Sequence, residues 1–382
     1  MDESVQVPED RRAPARLEAG LQRDAETERV WAHLDALAKP RRSLGKLEEL
    51  AVRLAVIQRT LRPAVRPRRL VIFAGDHGVV ARGVSAWPSD VTGLMVATMM
   101  TGRAASSALA AAHDCSLRLV DVGVASARMC SAPPFFRDAR IADGTRDLSV
   151  EPAMTSAQFE AAWQVGADEA VRAVGEGNRV LIAGEMGIGN TTPAACLTML
   201  FTGVSADIAV GRGAGADDAT LQIKREIVTA AVARVTGESG AAGVRPGDGS
   251  SANAPGAAGS QNLRGAIEAL SGFEIVAMAG FFAAGARLGA TLLLDGYVAT
   301  SAALIAEHLH PGTAHSMIAA HRSAEPGHSA ALAKLGLDPL LDWNMRLGEG
   351  TGALIALPLL DSAAVLLRDV AALSDLGVAR ED

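Results

Sequence analysis

The segment MRLGEGTGALIALPLL (345–360) holds one carboxylate, Glu349, between two glycines and ahead of an apolar run. A helix starting near Thr351 would bring the N–H groups of Gly350, Thr351 and Gly352 close to that carboxylate and favour its ionised form. Small neighbours leave room for a flat substrate, and an apolar ligand packed against the acid would raise its basicity. Those are the needs of a general base. A helix-capping acid in a turn has the same pattern, so spacing alone leaves both roles open.

Two glycine-rich turns suggest an anion. GEMGIGNTTPAA (184–195) follows an apolar run and opens a helical pattern. Glycines there let backbone N–H groups approach a phosphate at a helix N-terminus, and Asn190, Thr191 and Thr192 add short polar side chains. No GK[ST] follows, and the strict dinucleotide fingerprint is absent, so a plain structural turn remains the alternative. VGRGAGADD (210–218) is the second turn, with Lys224 and Arg225 shortly after. A solvated turn accounts for it equally well when taken alone. GDHGVV (75–80) puts Asp76 and His77 at the end of a strand-like run. The histidines form no HExxH pattern, and no ligand-spaced partner accompanies His77, so no metal site is expected.

These residues need elements to hold them. RRLVIFAGDHG (68–78), LRLVDVGV (117–124), RVLIAGEMGIGNTT (179–192) and TLLLDG (291–296) are short apolar runs that stop at an acid and a glycine. Helical stretches of 15–30 residues separate them. The alternation predicts an α/β fold, a parallel sheet with crossover helices and ligands at the carboxyl ends of its strands. Asp76, Asp121, Glu185 and Asp295 would lie on that edge. Residues 1–28 read as a mobile charged tail. Leu34, Leu37, Leu44, Leu47, Leu50 and Leu54 mark a helical region over 29–60. Residues 237–261 are Gly, Ala, Ser and Pro without periodicity and read as a flexible insertion in a large domain spanning 63–334.

Composition narrows the class. Of 382 residues, 49% are hydrophobic but only 3% aromatic, so the core must be built from Ala, Val, Leu and Ile. A formal charge of −7 argues against a nucleic-acid partner. Three scattered cysteines, Cys115, Cys130 and Cys196, make no disulfide framework and suit a reducing cytoplasm. The N-terminus shows no apolar secretory segment. Residues 275–294 approach the length of a membrane span, but Arg287 lies within them, and a buried helix followed by a buried strand is the expectation.

Taken together, KPRRSLGKLEELA (39–51), GDHGVV (75–80), VDVGV (120–124), GEMGIGNTTPAA (184–195), LLLDGYVATSAAL (292–304), HRSAEPGH (321–328) and MRLGEGTGA (345–353) closely resemble one family. It is that of nicotinate-nucleotide–dimethylbenzimidazole phosphoribosyltransferase, which acts in cobalamin assembly. The motifs stand in the family's order and cover roughly residues 30–370. The resemblance implies transfer of the 5-phosphoribosyl group of nicotinate mononucleotide to a benzimidazole nitrogen, with inversion at C1. It implies that Glu349 takes the proton of the attacking base and that Glu185 is a second, supporting carboxylate. Backbone groups around Gly187, Gly189, Asn190 and Thr191, and around Gly211, Gly213 and Gly215, would hold the phosphate, with Lys224 and Ser323 beside it. Trp87, Met95 and Leu347 would face the base. The reaction so implied calls for no metal and no cofactor. The family fold is a Rossmann-like parallel sheet wrapped by helices, with a smaller helical domain built from both chain ends (here 29–62 and 335–382), and a homodimer.

The chain departs from the family pattern where Arg41 and Arg42 replace a Pro-Gly pair, where Ala214 replaces a threonine, and where Trp87, Leu94 and Met95 stand among positions that contact the base. The last of these bears on which base is accepted more than on the reaction. Two other readings are a catalytically silent nucleotide-binding homologue and a related phosphoribosyltransferase with a different acceptor or an activated pyrophosphate donor. Retention of both glutamates argues against the first. The absence of an acidic pair followed by a Thr-Gly loop argues against a pyrophosphate donor.

Overall fold

The four acid-terminated runs form the middle of a parallel sheet. The computed structural model describes residues 12–126, 131–237 and 257–377. Strands β1 (Arg68–Gly75), β2 (Ser116–Gly123), β3 (Phe136–Asp138), β4 (Val180–Met186), β5 (Thr291–Leu294) and β6 (Met317–Ala319) pair in the order β3-β2-β1-β4-β5-β6, every pair parallel. That is the doubly wound order, and it places the topological switch between β1 and β4. Two further short strands, β7 (His321–Ser323) and β8 (Leu341–Met345), pair in parallel outside the main sheet. The helices are α1 (Arg12–Asp35), α2 (Lys46–Gln58), α3 (Asp90–Met100), α4 (Ala105–Ala112), α5 (Ser156–Gly175), α6 (Thr191–Thr202), α7 (Ala206–Ala209), α8 (Asp218–Thr236), α9 (Ala257–Leu270), α10 (Phe273–Arg287), α11 (Tyr297–Leu309), α12 (His328–Leu335) and α13 (Thr351–Asp369).

Two compact units emerge, one from residues up to Val65 together with those from Pro358 onward, the other from Arg66–Leu357. In the small unit, Ala38 N–H donates to Ala371 O at 2.8 Å and Leu373 N–H to Ala36 O at 2.9 Å, tying the two ends of the chain together. Its helix α1 begins at Arg12, inside the segment read as a tail, and buries Val30 and Leu34 one turn apart. Residues 335–357 lie with the large unit, because β8 pairs with β7 there. Of the expected insertion, residues 238–256 lie outside the described residues, and its last residues, from Ala257, open α9.

The apolar stretch 275–294 resolves into α10 and β5. From Phe273 to Gly285 every residue of α10 is buried, and all but Glu274 are apolar or glycine, as suits an interior helix. Among the described residues only α13 is long and apolar enough to cross a membrane by length and composition, and most of it is buried. Pro358 falls inside α13 at the point where the two units divide.

Helix α5 crosses α10 at backbone range. A methyl group on Gly166 would collide with the Ala277 carbonyl oxygen, and one on Gly280 with the Trp163 carbonyl oxygen. Glycine at both positions lets the helices approach far closer than side chains permit. Gly166→Val is therefore expected to lower unfolding free energy by about 3 kcal/mol, the upper end of overpacking penalties. A shift of the urea midpoint at constant slope measures it, and an unchanged midpoint contradicts the close crossing.

Candidate active site

A cavity of about 460 Å³ opens at the carboxyl ends of the strands, beside the β1/β4 switch. Its wall combines the end of β4 and the turn into α6 (Glu185, Met186, Gly187, Ile188, Asn190, Thr191), Gly213 and Ala214 from the second glycine turn, Gly296 and Tyr297 after β5, His321, Ser323 and Glu325, and Arg346 to Glu349. Trp87 and Met95 complete it. The two glycine turns thus share one space with the carboxylates of Glu185 and Glu349. Gly189, Gly211, Gly215 and Lys224 do not line it. Gly189 faces Val80, Gly211 packs on Glu325 and Pro326, Gly215 faces open space, and Lys224 lies behind the wall.

The GEG turn is explained by its backbone. Gly348, Glu349 and Gly350 have φ of 83°, 59° and 80°, three left-handed residues in succession. Glycine takes that region freely, whereas a glutamate there costs roughly 1–3 kcal/mol and persists only where the surroundings enforce it. Space enforces it too: a methyl on Gly348 would meet the Glu185 carboxylate, and one on Gly350 would lie 2.5 Å from Leu70.

The helix amides do not serve Glu349. Gly350 N–H donates to Asp295 Oδ2 at 3.0 Å, while Gly352 and Ala353 N–H donate to Asp295 Oδ1 at 2.8 and 3.1 Å. Local sequence spacing assigned these donors to Glu349, but its left-handed φ turns the side chain away from the helix axis. Neither does Glu349 cap α13, since Asp295, from the end of β5, does so. The Glu349 carboxylate instead accepts a hydrogen bond from Ser106 Oγ on α4 at 2.8 Å. Burial pushes the Glu349 carboxyl above the ordinary range and the Asp295 charge adds to this, while Ser106 opposes it. Glu185 is pushed up to about 8, first by burial and then by Asp295, Glu274 and Glu349, against a hydrogen bond from Asn190 Nδ2. At neutral pH Glu185 therefore holds its proton. Burial thus raises both carboxyl groups of the cavity, Glu185 to about 8.

The phosphate-directed residues converge from three elements. Lys224 Nζ on α8 donates to Thr191 Oγ1 at 2.6 Å and to Gly211 O at 3.1 Å, which joins the two glycine turns. Burial pulls its pKa down to about 8. Gly213 N–H already donates to Glu325 Oε1 at 2.8 Å, so that amide is occupied by a protein carboxylate. Burial pulls His328 down to about 3, so its ring is neutral. Nδ1 accepts from Ser323 N–H at 2.7 Å, which leaves the ring proton on Nε2, donating to Thr300 Oγ1 at 2.9 Å. This chain fixes the backbone of Ser323 at the cavity wall.

Apolar residues form the opposite side. Trp87 is half exposed, and its Nε1 donates to Ala214 O at 3.2 Å, so the residue that departs from the family motif contacts the turn that also departs. Leu347 stands exposed at the rim, and Leu94 is exposed outside the cavity. Beneath the GEMG turn, His77 Nε2 meets Glu274 Oε1 at 2.8 Å, both fully buried. The Ile188 amide of that turn donates to Thr92 Oγ1 at 3.1 Å. Ser106, Asp295, His321 and Glu325 escaped sequence reasoning as site residues. Asp295, in an acid-terminated strand motif, and His321 and Glu325, within HRSAEPGH, lay in quoted motifs, whereas Ser106 carried no signal.

Comparison with known proteins follows this geometry. The chain matches a phosphoribosyltransferase family model over residues 21–378. It is 43% identical over 344 residues to nicotinate-nucleotide–dimethylbenzimidazole phosphoribosyltransferase of Chromobacterium violaceum, covering 90% of this chain and 92% of that protein. It is 42% identical over 347 residues to the protein of the same name from Thermus thermophilus, covering 91% and 96%. The crystal structure of CobT from Thermus thermophilus superimposes with a TM-score of 0.83 at 39% identity, over 94% of this chain and 100% of that one. The chain belongs to the family of nicotinate-nucleotide–dimethylbenzimidazole phosphoribosyltransferases.

Proposed function

We propose that this chain transfers the 5-phosphoribosyl group of nicotinate mononucleotide to 5,6-dimethylbenzimidazole, releasing nicotinate and α-ribazole 5′-phosphate, with Glu349 as the general base. The observation that carries the reading is the buried Glu349 carboxylate in the same cavity as the two glycine turns. One ring nitrogen of the base forms a bond to C1 of the ribose. The C1–N bond to nicotinate breaks, its electron pair staying on the nicotinate nitrogen, and C1 inverts. The proton on the other ring nitrogen passes to Glu349. Burial raises the basicity of that carboxylate, and a positioned base of this kind contributes ~10²–10⁴-fold. Glu185, neutral at pH 7, adds no second negative charge next to Glu349 and can donate its proton in a hydrogen bond. Ser323 and the amides of the Gly187–Thr191 turn that are not already bonded within the protein hold the phosphate, with Lys224 bearing on it from behind the wall through Thr191, and Trp87, Met95 and Leu347 hold the base. The Glu325 carboxylate on the Gly213 amide leaves the second turn a smaller share of that task.

The protein acts as a homodimer in the cytoplasm in this reading. Its buried, unpaired Cys115 and Cys196 suit a reducing compartment. Sedimentation analysis that finds only monomer at assay concentrations would remove the dimer.

The direct test is incubation with nicotinate mononucleotide and dimethylbenzimidazole, following nicotinate release and the riboside phosphate by chromatography. Glu349→Gln is expected to fold normally and lose at least ~10²-fold in turnover. Wild-type turnover in that variant means the base is another group. Glu185→Ala is expected to lose less.

The pH profile of kcat/KM gives a second check, because it reports groups of the free enzyme. Glu349 must be ionised, and its pKa is raised, so activity falls on acidification at a pH above the ordinary carboxylate range. Lys224 must be protonated, so kcat/KM falls as pH rises through about 8, where Glu185 also loses its proton. Lys224→Met is expected to raise KM for the nucleotide more than it lowers kcat. A profile flat from pH 5 to 9 contradicts both assignments.

A further inference from the structure

The first turn of α13 leaves amide groups that its own helix cannot satisfy. Three of them, on Gly350, Gly352 and Ala353, end on one buried carboxylate delivered from the end of β5, 55 residues earlier in the chain. Asp295 is 2% exposed and does not line the cavity. Its position is nonetheless central. Glu349 immediately precedes the first of these amides, Glu185 touches the Gly348 backbone, and His321 Nε2 lies 3.6 Å from Asp295 Oδ1.

We infer that Asp295 is a positioning residue for the transfer: it ties the start of α13 to the sheet edge, thereby holding the left-handed Glu349 turn, and its carboxylate bears on both glutamates of the cavity. This rests on the reading of Glu349 as the base. A simple helix cap needs only one acceptor and no charge at the site, and serine or asparagine supplies it. A buried carboxylate costs more to place, and here it acts on two others.

The charges around this group are few. Glu185 faces it from β4, and Glu274 on α10 bears on Glu185 in turn. His321 faces it from β7; burial disfavours the charged ring, but the neighbouring Asp295 carboxylate outweighs this, so the ring gains its proton more readily than usual. Arg346 stands on the same cavity wall. Ser106 and Asn190 are the neutral partners of the two glutamates.

Asp295→Asn keeps an acceptor for the amides but removes the charge. The expected result is a fall in kcat of roughly 10²-fold from the displaced base, a KM for nicotinate mononucleotide close to wild type, and an acid limb of kcat/KM moved to lower pH in the remaining activity. The last shift follows because Glu349 loses a repelling neighbour and ionises more easily. A cap with no other role would leave that limb where it was. Glu349→Gln combined with Asp295→Asn should lose no more than Glu349→Gln alone, since both act through one group.

His321→Gln supplies a second measurement should the asparagine variant fail to fold. It removes a ring whose protonation Asp295 favours and which offsets that carboxylate on acidification, so the acid limb is expected to move to higher pH, the opposite direction. Unaltered kcat and acid limb in Asp295→Asn, or an unmoved limb in His321→Gln, overturns the inference. Should Glu349→Gln be inactive while Asp295→Asn behaves as wild type, only the role of Asp295 is lost. Should Glu349→Gln retain full turnover, the base assignment falls and this inference with it.

Discussion

A carboxylate at the end of one strand receives the orphan amides at the start of a helix that follows much later in the chain. That contact between Asp295 and α13 fixes where the helix begins relative to the sheet. Because Glu349 sits two residues before the helix starts at Thr351, it also fixes where that carboxylate stands. The left-handed turn is unfavourable for a glutamate, and three buried hydrogen bonds to a charged acceptor are the kind of restraint that holds it. Glycine on each side is then a requirement of space as much as of backbone angle, since Glu185 and Leu70 occupy the places where side chains would go.

Burial sorts the carboxyl groups that the turn brings together. Glu185 and Glu349 share one cavity with Asp295 behind them, and three adjacent buried negative charges are costly. Glu185 is pushed up to about 8, while Glu349 accepts from the Ser106 hydroxyl and Asp295 from the α13 amides. The cationic side of the site is arranged differently. Lys224 reaches from behind the wall to Thr191, so its charge is delivered through a buried point contact between the glycine turns rather than from a mobile surface chain.

Sheet order explains why these groups meet at all. Strands β1 and β4 are neighbours but lead to opposite sides of the sheet, and the crevice between their ends admits a ligand. The GDHG turn leaves β1 there and the GEMGIGN turn leaves β4. His77 lies beneath Gly187, and Thr92 holds the Ile188 amide, so the first motif supports the second rather than meeting substrate. The almost wholly buried α10 carries Glu274 to the same place from below.

The amino-acid sequence by itself determined the α/β class, the four central strands and the motifs at their ends. Their apolar runs are long enough to read, and each stops at an acid and a glycine. It also determined the family, because seven separated motifs kept their order. It missed β3, β6, β7 and β8, which span three to five residues, too few for any periodicity to register. It also misdirected the amides of α13. Adjacent residues along the chain are not adjacent in direction when φ is positive, so the donors beside Glu349 point to Asp295 instead. Only the tertiary structure decided that partner, along with Ser106 for Glu349 and the His328 link to Ser323. Each is a contact between elements distant in sequence, and its existence depends on packing that no local pattern encodes.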